Sequence, residues 1–419
     1  MWLSLFAAVW LLTQPSCRRE ETLTQASRRV RRAILGDGLF WLGVVVIGYF
    51  LTLVFKDGAS LSYEPVQGVW QLREPVGSGL QGAVAGSGAL PLATVVGLVV
   101  TMQGVSHALG RRARRAFLLV GSSLSAIGVF VLLAVVRWGG FDNLLSVDYA
   151  SPYFFGVAFG WWAVAGLVAL FLAVREEWWT GASVAGVVTL VNVGGLALFA
   201  PVPEILCFEA ALLLLALAAL GVSRRRFSAR GLTACLVVTG LVLALPFGAL
   251  GLGRSQVAVA AKFQALVRFE LWPDAVVALR SQLSDLSSRI WHEARPYGIG
   301  LGAFPTCLRV FATSADWAVI RPWQTAATNG WWQLLLEHGW TGAVWFGAFA
   351  LWPLGAWVRR IVTQYGALHW GAVQILMPVA FLLGLVTMGL SATGTRADGL
   401  LVFFPLLALS EGAIPRRRE

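Results

Sequence analysis

Residues 153–174 read YFFGVAFGWWAVAGLVALFLAV, without one charged side chain. An α-helix rises about 1.5 Å per residue, so about 20 apolar residues cross the hydrocarbon core of a bilayer. The pattern recurs along the chain. Comparable runs lie near 33–55, 89–108, 116–137, 180–199, 205–222, 231–252, 340–358 and 370–391, with a shorter one near 399–412. Only 13% of the 419 residues are charged and 58% are hydrophobic, where soluble domains carry about 25% charged residues. The expected fold class is therefore an all-α polytopic membrane protein of about 10–12 transmembrane helices.

The net charge of +11 would suggest nucleic acid in a soluble chain. Here the arginines gather in short clusters between apolar runs. They are Arg18 to Arg32, Arg111 to Arg115, Arg224 to Arg230, Arg359 and Arg360, and Arg416 to Arg418. A simple alternation of spans puts all five clusters on one side, which the positive-inside rule makes cytoplasmic, C-terminus included. Residues 56–88, 138–152 and 253–339 then face outward. Residues 2–16 are also apolar but are followed, not preceded, by arginine. That charge order favours a first span, or one truncated by a misplaced start, over a cleaved signal. Cys17, Cys207, Cys235 and Cys307 show no metal-ligand spacing, so neither a zinc site nor a disulfide is expected. Three regions follow: an N-terminal transmembrane bundle (1–252), a large outer loop (253–339) and C-terminal transmembrane helices (340–419).

The outer loop carries the chemistry. It is rich in Trp, Leu, Val and Phe, so it is not disordered by composition. Pro273 suits the first turn of a helix, and Val276, Leu279, Leu283, Leu286 and Ile290 recur at helical spacing. The pair Arg295-Pro296 ends that helix near 294. Gly298, Gly300 and Gly302 follow, then Phe304. The glycine run lacks the Gly-Lys-Ser/Thr ending of a nucleotide loop and links no parallel strand to a helix. A tight turn at the membrane surface or close approach to a lipid phosphate fits it better. The loop also holds Lys262, Arg268, Arg280, Arg289, Arg295, Arg309 and Arg321, an excess of cations on the face where the positive-inside rule expects few. Any one could sit on a solvated helix face beside Glu270, Asp274, Asp285 or Glu293. As a group they suit an anion site, because the arginine fork matches phosphate oxygens.

The loop closes on ATNGWWQLLLEHGWTG, residues 327–342, in which Thr328-Asn329 precedes Gly339-x-x-Gly342 and a new apolar run. Taken in order, Arg289, Trp291, Pro296, the glycines 298, 300 and 302, Phe304, then Asn329-x9-Gly339-x-x-Gly342 resemble the motif set of the O-antigen ligase and O-antigen polymerase family. That family of bacterial membrane proteins also includes pilin O-oligosaccharyltransferases. Gln333 and Glu337 inside the second motif fit too. The motif-bearing resemblance spans about residues 280–358.

The resemblance implies a multi-span glycosyltransferase fold in the bacterial inner membrane. It implies an undecaprenyl-diphosphate-linked glycan as donor, and lipid A core, a protein or another lipid-linked glycan as acceptor. No metal or other cofactor and no nucleic acid is implied. Arg268, Arg280, Arg289 and Arg321 become candidates for holding the diphosphate. Arg289, His292, Thr328 and Asn329 become candidates for the catalytic group. The sequence departs from the ligase pattern at one point: Thr328 stands where the ligases carry a His. A hydroxyl is no base near neutral pH, whereas an imidazole is. Three readings follow. The chain is a polymerase-type member in which arginine does most of the work; or His292, Glu293, Glu337 or His338 replaces the base; or the chain is a divergent member. His292 lies one turn after Arg289, on the same helix face. A transporter is the rival class, resting on Glu209 inside an apolar run. Trp291, Trp317, Trp323, Trp331 and Trp332 suit interfacial anchoring or stacking on sugar rings.

Overall fold

The computed structural model describes residues 41, 45, 60–64, 69–73, 111–139, 152–200, 202–223, 228–252, 263–264, 266–268, 274–294, 298–299, 304–317, 327, 329–363 and 386. The runs expected near 2–16, 89–108 and 399–412, and nearly all of those near 33–55 and 370–391, lie outside the described residues.

A bundle of five long helices comprises α1 (Arg111–Gly139), α2 (Pro152–Arg175), α3 (Trp179–Phe199), α4 (Val202–Ser223) and α5 (Ala229–Leu252). Three described stretches are long and apolar enough to cross a membrane: Ala158–Arg175, Trp179–Phe199 and Ala229–Gly251. α1 contributes a shorter apolar stretch, Leu118–Ala134, because its first turn runs through the Arg111 to Arg115 cluster. The short connections have local causes. Between α2 and α3, Glu177 takes φ 58° and the Trp178 amide donates back to Ala173 O (3.0 Å), a left-handed stop after α2. α3 ends at Ala200, whose ψ of 151° is extended, as required of a residue that Pro201 follows.

Helix α2 is the centre. Val164, Ala165, Leu167 and Val168 are wholly buried, and Trp161 packs edge-on against Phe208 of α4, ring centroids 5.6 Å apart. Small residues let the helices approach closely. A Cβ on Gly156 would lie 2.3 Å from the Ala200 nitrogen, and one on Gly166 would lie 2.6 Å from Thr189 Oγ1. Buried Asn192 ties α3 to α1: its Nδ2 donates to Ser122 O (3.0 Å) and its Oδ1 accepts from Ser125 Oγ (2.6 Å). In hydrocarbon such bonds replace water that is not there. α5, by contrast, leaves Leu236, Val237, Leu241 and Phe247 exposed, a face suited to lipid.

The all-α expectation needs one correction. Residues 60–64 (β1) and 69–73 (β2) pair as an antiparallel hairpin, with Leu61 opposite Leu72 and Tyr63 opposite Trp70. β1 alternates polar and apolar side chains and β2 does so from Trp70 on, the period of a strand. The structure is thus nearly all helical.

The segment between α5 and the end of the chain folds, in its described residues, into a small helical unit, the loop unit, of α6 (Asp274–Ala294), α7 (Phe304–Phe311), the single turn α8 (Ser314–Trp317) and the first part of α9 (Gly330–Thr363). Its core joins Leu283, Leu286, Ile290 and Trp291 of α6 to Phe304, Cys307 and Leu308 of α7 and Leu336 of α9. Leu283, Leu286 and Ile290 of the expected stripe lie in it, with Leu279 packed at its edge; the side chain of Val276 lies outside the described residues. Trp291 is buried and meets the Trp340 ring edge-on at 5.8 Å, so it serves packing and offers little face to a sugar. α9 is broken at Gly339 (φ 65°, ψ −171°), a conformation essentially confined to glycine. The loop unit lies against one end of the bundle: Gly251, at the end of α5, faces Phe263, and the charge of Glu204, in the first turn of α4, acts on Arg280.

Candidate functional site

The two motifs meet at their glycines. Gly298 (φ 76°) sits directly on the break in α9. A Cβ there would lie 2.5 Å from the Gly339 nitrogen and 2.7 Å from Leu336 O. The break also solves a backbone problem. A helix leaves its last carbonyls without intrahelical partners, and Leu336 O takes the Ile299 amide instead (2.7 Å). Gly300 and Gly302 lie outside the described residues; Gly342 is buried in α9.

Asn329 caps α9. Its Oδ1 accepts from the Trp332 amide (2.8 Å), three residues on, and its carbonyl accepts from the Gln333 amide (3.1 Å), the geometry of a strong N-cap. Gln333 Oε1 accepts from the Ala327 amide (2.7 Å), while its Nε2 donates to Glu337 Oε1. Glu337 is buried at 8% exposure. Its charge reaches the buried Cys307, whose thiol is pushed up to about 12, first by burial and then by Glu337. That thiol is inert as a nucleophile. Asn329, Gln333 and Glu337 therefore form a connected hydrogen-bond chain that reaches back to Ala327. Thr328 itself lies outside the described residues, as does Arg321. The side chain of His338 is likewise outside them.

Arg289 is held in place. One terminal nitrogen pairs with Asp316 Oδ2 at 2.7 Å and the other donates to Phe311 O at 3.3 Å. The side chain nevertheless stays 43% exposed, and a guanidinium has five donors, so part of the fork still faces solvent. Asp316 is the residue that sequence reasoning missed. Thr313 and Asp316 form a reciprocal cap on α8: the Thr313 amide and hydroxyl each donate to Asp316 Oδ2 at 2.8 Å, and the Asp316 amide donates to Thr313 Oγ1 at 3.3 Å. Gln282 Nε2 adds a bond to Oδ1 (3.2 Å). Burial alone would raise the Asp316 pKa. The hydrogen bonds from Arg289, Thr313 and Gln282 outweigh it and hold the carboxyl well below the usual range. The signal in the sequence was Thr313-x-x-Asp316, a capping-box spacing.

His292 and Glu293 lie exposed in the last turn of α6, beside Arg289. Arg268 is exposed. Arg280 is half-buried; burial works against its charge and lowers its pKa, and the neighbouring Glu204 carboxylate opposes that shift. Glu204, 1% exposed, is a second acid the sequence reading did not single out. Its place in the first turn of α4 sets it where a helix dipole favours negative charge. Compared with known proteins, the sequence matches no family model and no curated protein.

Proposed function

We propose that the chain is a metal-independent glycosyltransferase of the O-antigen polymerase or ligase type. It acts on the outer face of the bacterial inner membrane on an undecaprenyl-diphosphate-linked glycan. The observation that carries the reading is the junction of Gly298 with the break at Gly339. It brings together the two motifs on which the resemblance rests, with Arg289 held on the helix that leads into the first of them. The loop unit sits at the end of the bundle that the arginine clusters assign to the outside, which supports the same orientation.

In the reaction, an acceptor sugar hydroxyl attacks the donor anomeric carbon. The carbon–oxygen bond to the diphosphate breaks, and its electrons leave with the phosphate oxygen. The exposed part of the Arg289 fork is oriented in advance by Asp316 and Phe311, so it meets the growing negative charge without reorganising. Arg280, nine residues earlier on α6, lies on the opposite face of that helix and beside Glu204, so it does not share the surface of Arg289. Among the candidates for receiving the hydroxyl proton, His292 and Glu293 are exposed beside Arg289, whereas Glu337 is buried and bonded to Gln333. His292 is the preferred base, and orientation supplies much of the rate.

The rival transporter reading draws on one observation. Both carboxylate oxygens of Glu209 in α4 are buried without a hydrogen-bond partner, as in an intramembrane proton or ion site. The deciding experiment is deletion of the gene in its host, with surface glycans and lipid-linked glycans run side by side. A ladder collapsed to one attached repeat marks a polymerase. Full-length glycan retained on its lipid marks a ligase. If neither pool changes, the transferase reading fails.

A further inference from the structure

We infer that Glu337 is a positioning residue, whose carboxylate sets the orientation of the Gln333 amide and thereby pins the backbone at Ala327, immediately before Thr328-Asn329. Its functional consequence rests on the transferase reading; its geometry does not. Asn329, Gln333 and Glu337 recur every four residues and so share one face of α9. An ionised carboxylate offers acceptors only, whereas an amide offers two donors at one end and an acceptor at the other. Glu337 therefore takes the Nε2 end of Gln333. The Oε1 end is left facing the Ala327 amide, from which it accepts at 2.7 Å. Turned over, the amide would set donor against donor at Ala327 and acceptor against acceptor at Glu337, and both bonds would be lost.

The pin acts on the motif. Ala327 is only 3% exposed and belongs to the core of the loop unit. On the other flank Asn329 is fixed by its own cap on Trp332. Both neighbours of Thr328 are thus held, one by a side chain one turn into the helix. The charge on Glu337 strengthens the bond it receives. This arrangement assigns Glu337 a task other than proton transfer: it acts on the site through Gln333 and Ala327, at the root of the helix that carries the second motif.

The test uses the full chain in lipid nanodiscs for amide hydrogen exchange, and the same variants in a deletion host for glycan transfer. Glu337→Met, Glu337→Lys and Gln333→Leu are expected to raise exchange at Ala327 about tenfold, the factor for one lost hydrogen bond, and to lower transfer. Glu337→Gln keeps an acceptor and is expected to leave both near wild type. Amides of α3 around Asn192 report whether a variant still folds; should Glu337→Lys fail there, Gln333→Leu and Glu337→Met carry the test. If Glu337→Gln abolishes transfer while Ala327 stays protected, Glu337 is a reacting group and the inference is overturned. Unchanged exchange at Ala327 in Gln333→Leu overturns it too. Should the wild-type chain transfer no glycan, the transferase reading alone falls, and the exchange pattern still decides the pin.

Discussion

Replacing Gly298 with Ala tests the junction most directly. The added Cβ would stand 2.5 Å from the Gly339 nitrogen and 2.7 Å from Leu336 O, distances that no carbon tolerates, and both neighbours are backbone. The φ of 76° adds about 1–2 kcal/mol for a residue with a Cβ. Separating the two segments also loses the Ile299–Leu336 bond, a further ~1 kcal/mol. Together these make about 2–3 kcal/mol, or roughly thirtyfold to a hundredfold in the equilibrium for local opening. Amide exchange at Ile299 reads that opening, because its N–H is the donor. Gly240→Ala, where a new Cβ meets nothing within 4 Å, is the matched control and should leave Ile299 protected. If Ile299 exchanges at the wild-type rate in Gly298→Ala, the two motifs are not joined as described, and the site built on their contact fails with them.

Asn329→Ala should cost about 1 kcal/mol through loss of the cap, raising exchange at Trp332, while Asn329→Asp should stay close to wild type. Asp316 has a folded pKa below its unfolded value, so its contribution is complete above about pH 4 and is lost as pH falls from there toward the folded pKa. Acid titration should therefore loosen α8 below about pH 4, followed by exchange at the Thr313 amide, and Asp316→Ala should remove that acid step. Arg289→Lys keeps the charge beside Asp316 but loses the fork, so glycan transfer should fall about tenfold with little change in thermal unfolding. Leu286→Ala should destabilise the loop unit by about 2–5 kcal/mol, since the side chain is wholly buried in its core; chemical denaturation monitored by tryptophan fluorescence would show it.

Much of the candidate site was legible in order but not in contact. The sequence placed the amphipathic helix at 273–294, and α6 runs Asp274–Ala294. It left Arg289 open between a phosphate ligand and a helix-face partner of Glu270, Asp274, Asp285 or Glu293, whereas the side chain pairs with Asp316, 27 positions on. No local pattern announces that pairing. Asn329 and Gln333 were recognised as motif residues, but their roles as cap and bridge depend on where Trp332, Ala327 and Glu337 lie in space. Glu204 escaped notice because a single acid at the start of an apolar run looks like a membrane boundary; its neighbour Arg280 comes from a separate helix.

What the sequence determined by itself, among the described residues, are several of the long apolar helices and the amphipathic helix of the loop. The run at 153–174 became Pro152–Arg175, and the run at 180–199 became Trp179–Phe199. These follow from single residues acting on the backbone: apolar length, proline, glycine and charge. Only the tertiary structure decided that α2 is the buried centre while α5 turns much of its surface outward. Lipid and protein interior are both apolar, so hydropathy cannot distinguish a helix wrapped by neighbours from one that faces acyl chains. The same holds for Gly298 on Gly339, Arg289 on Asp316 and Arg280 beside Glu204. Each is an interaction between two distant parts of the chain, and its energy exists only once the fold has closed the distance.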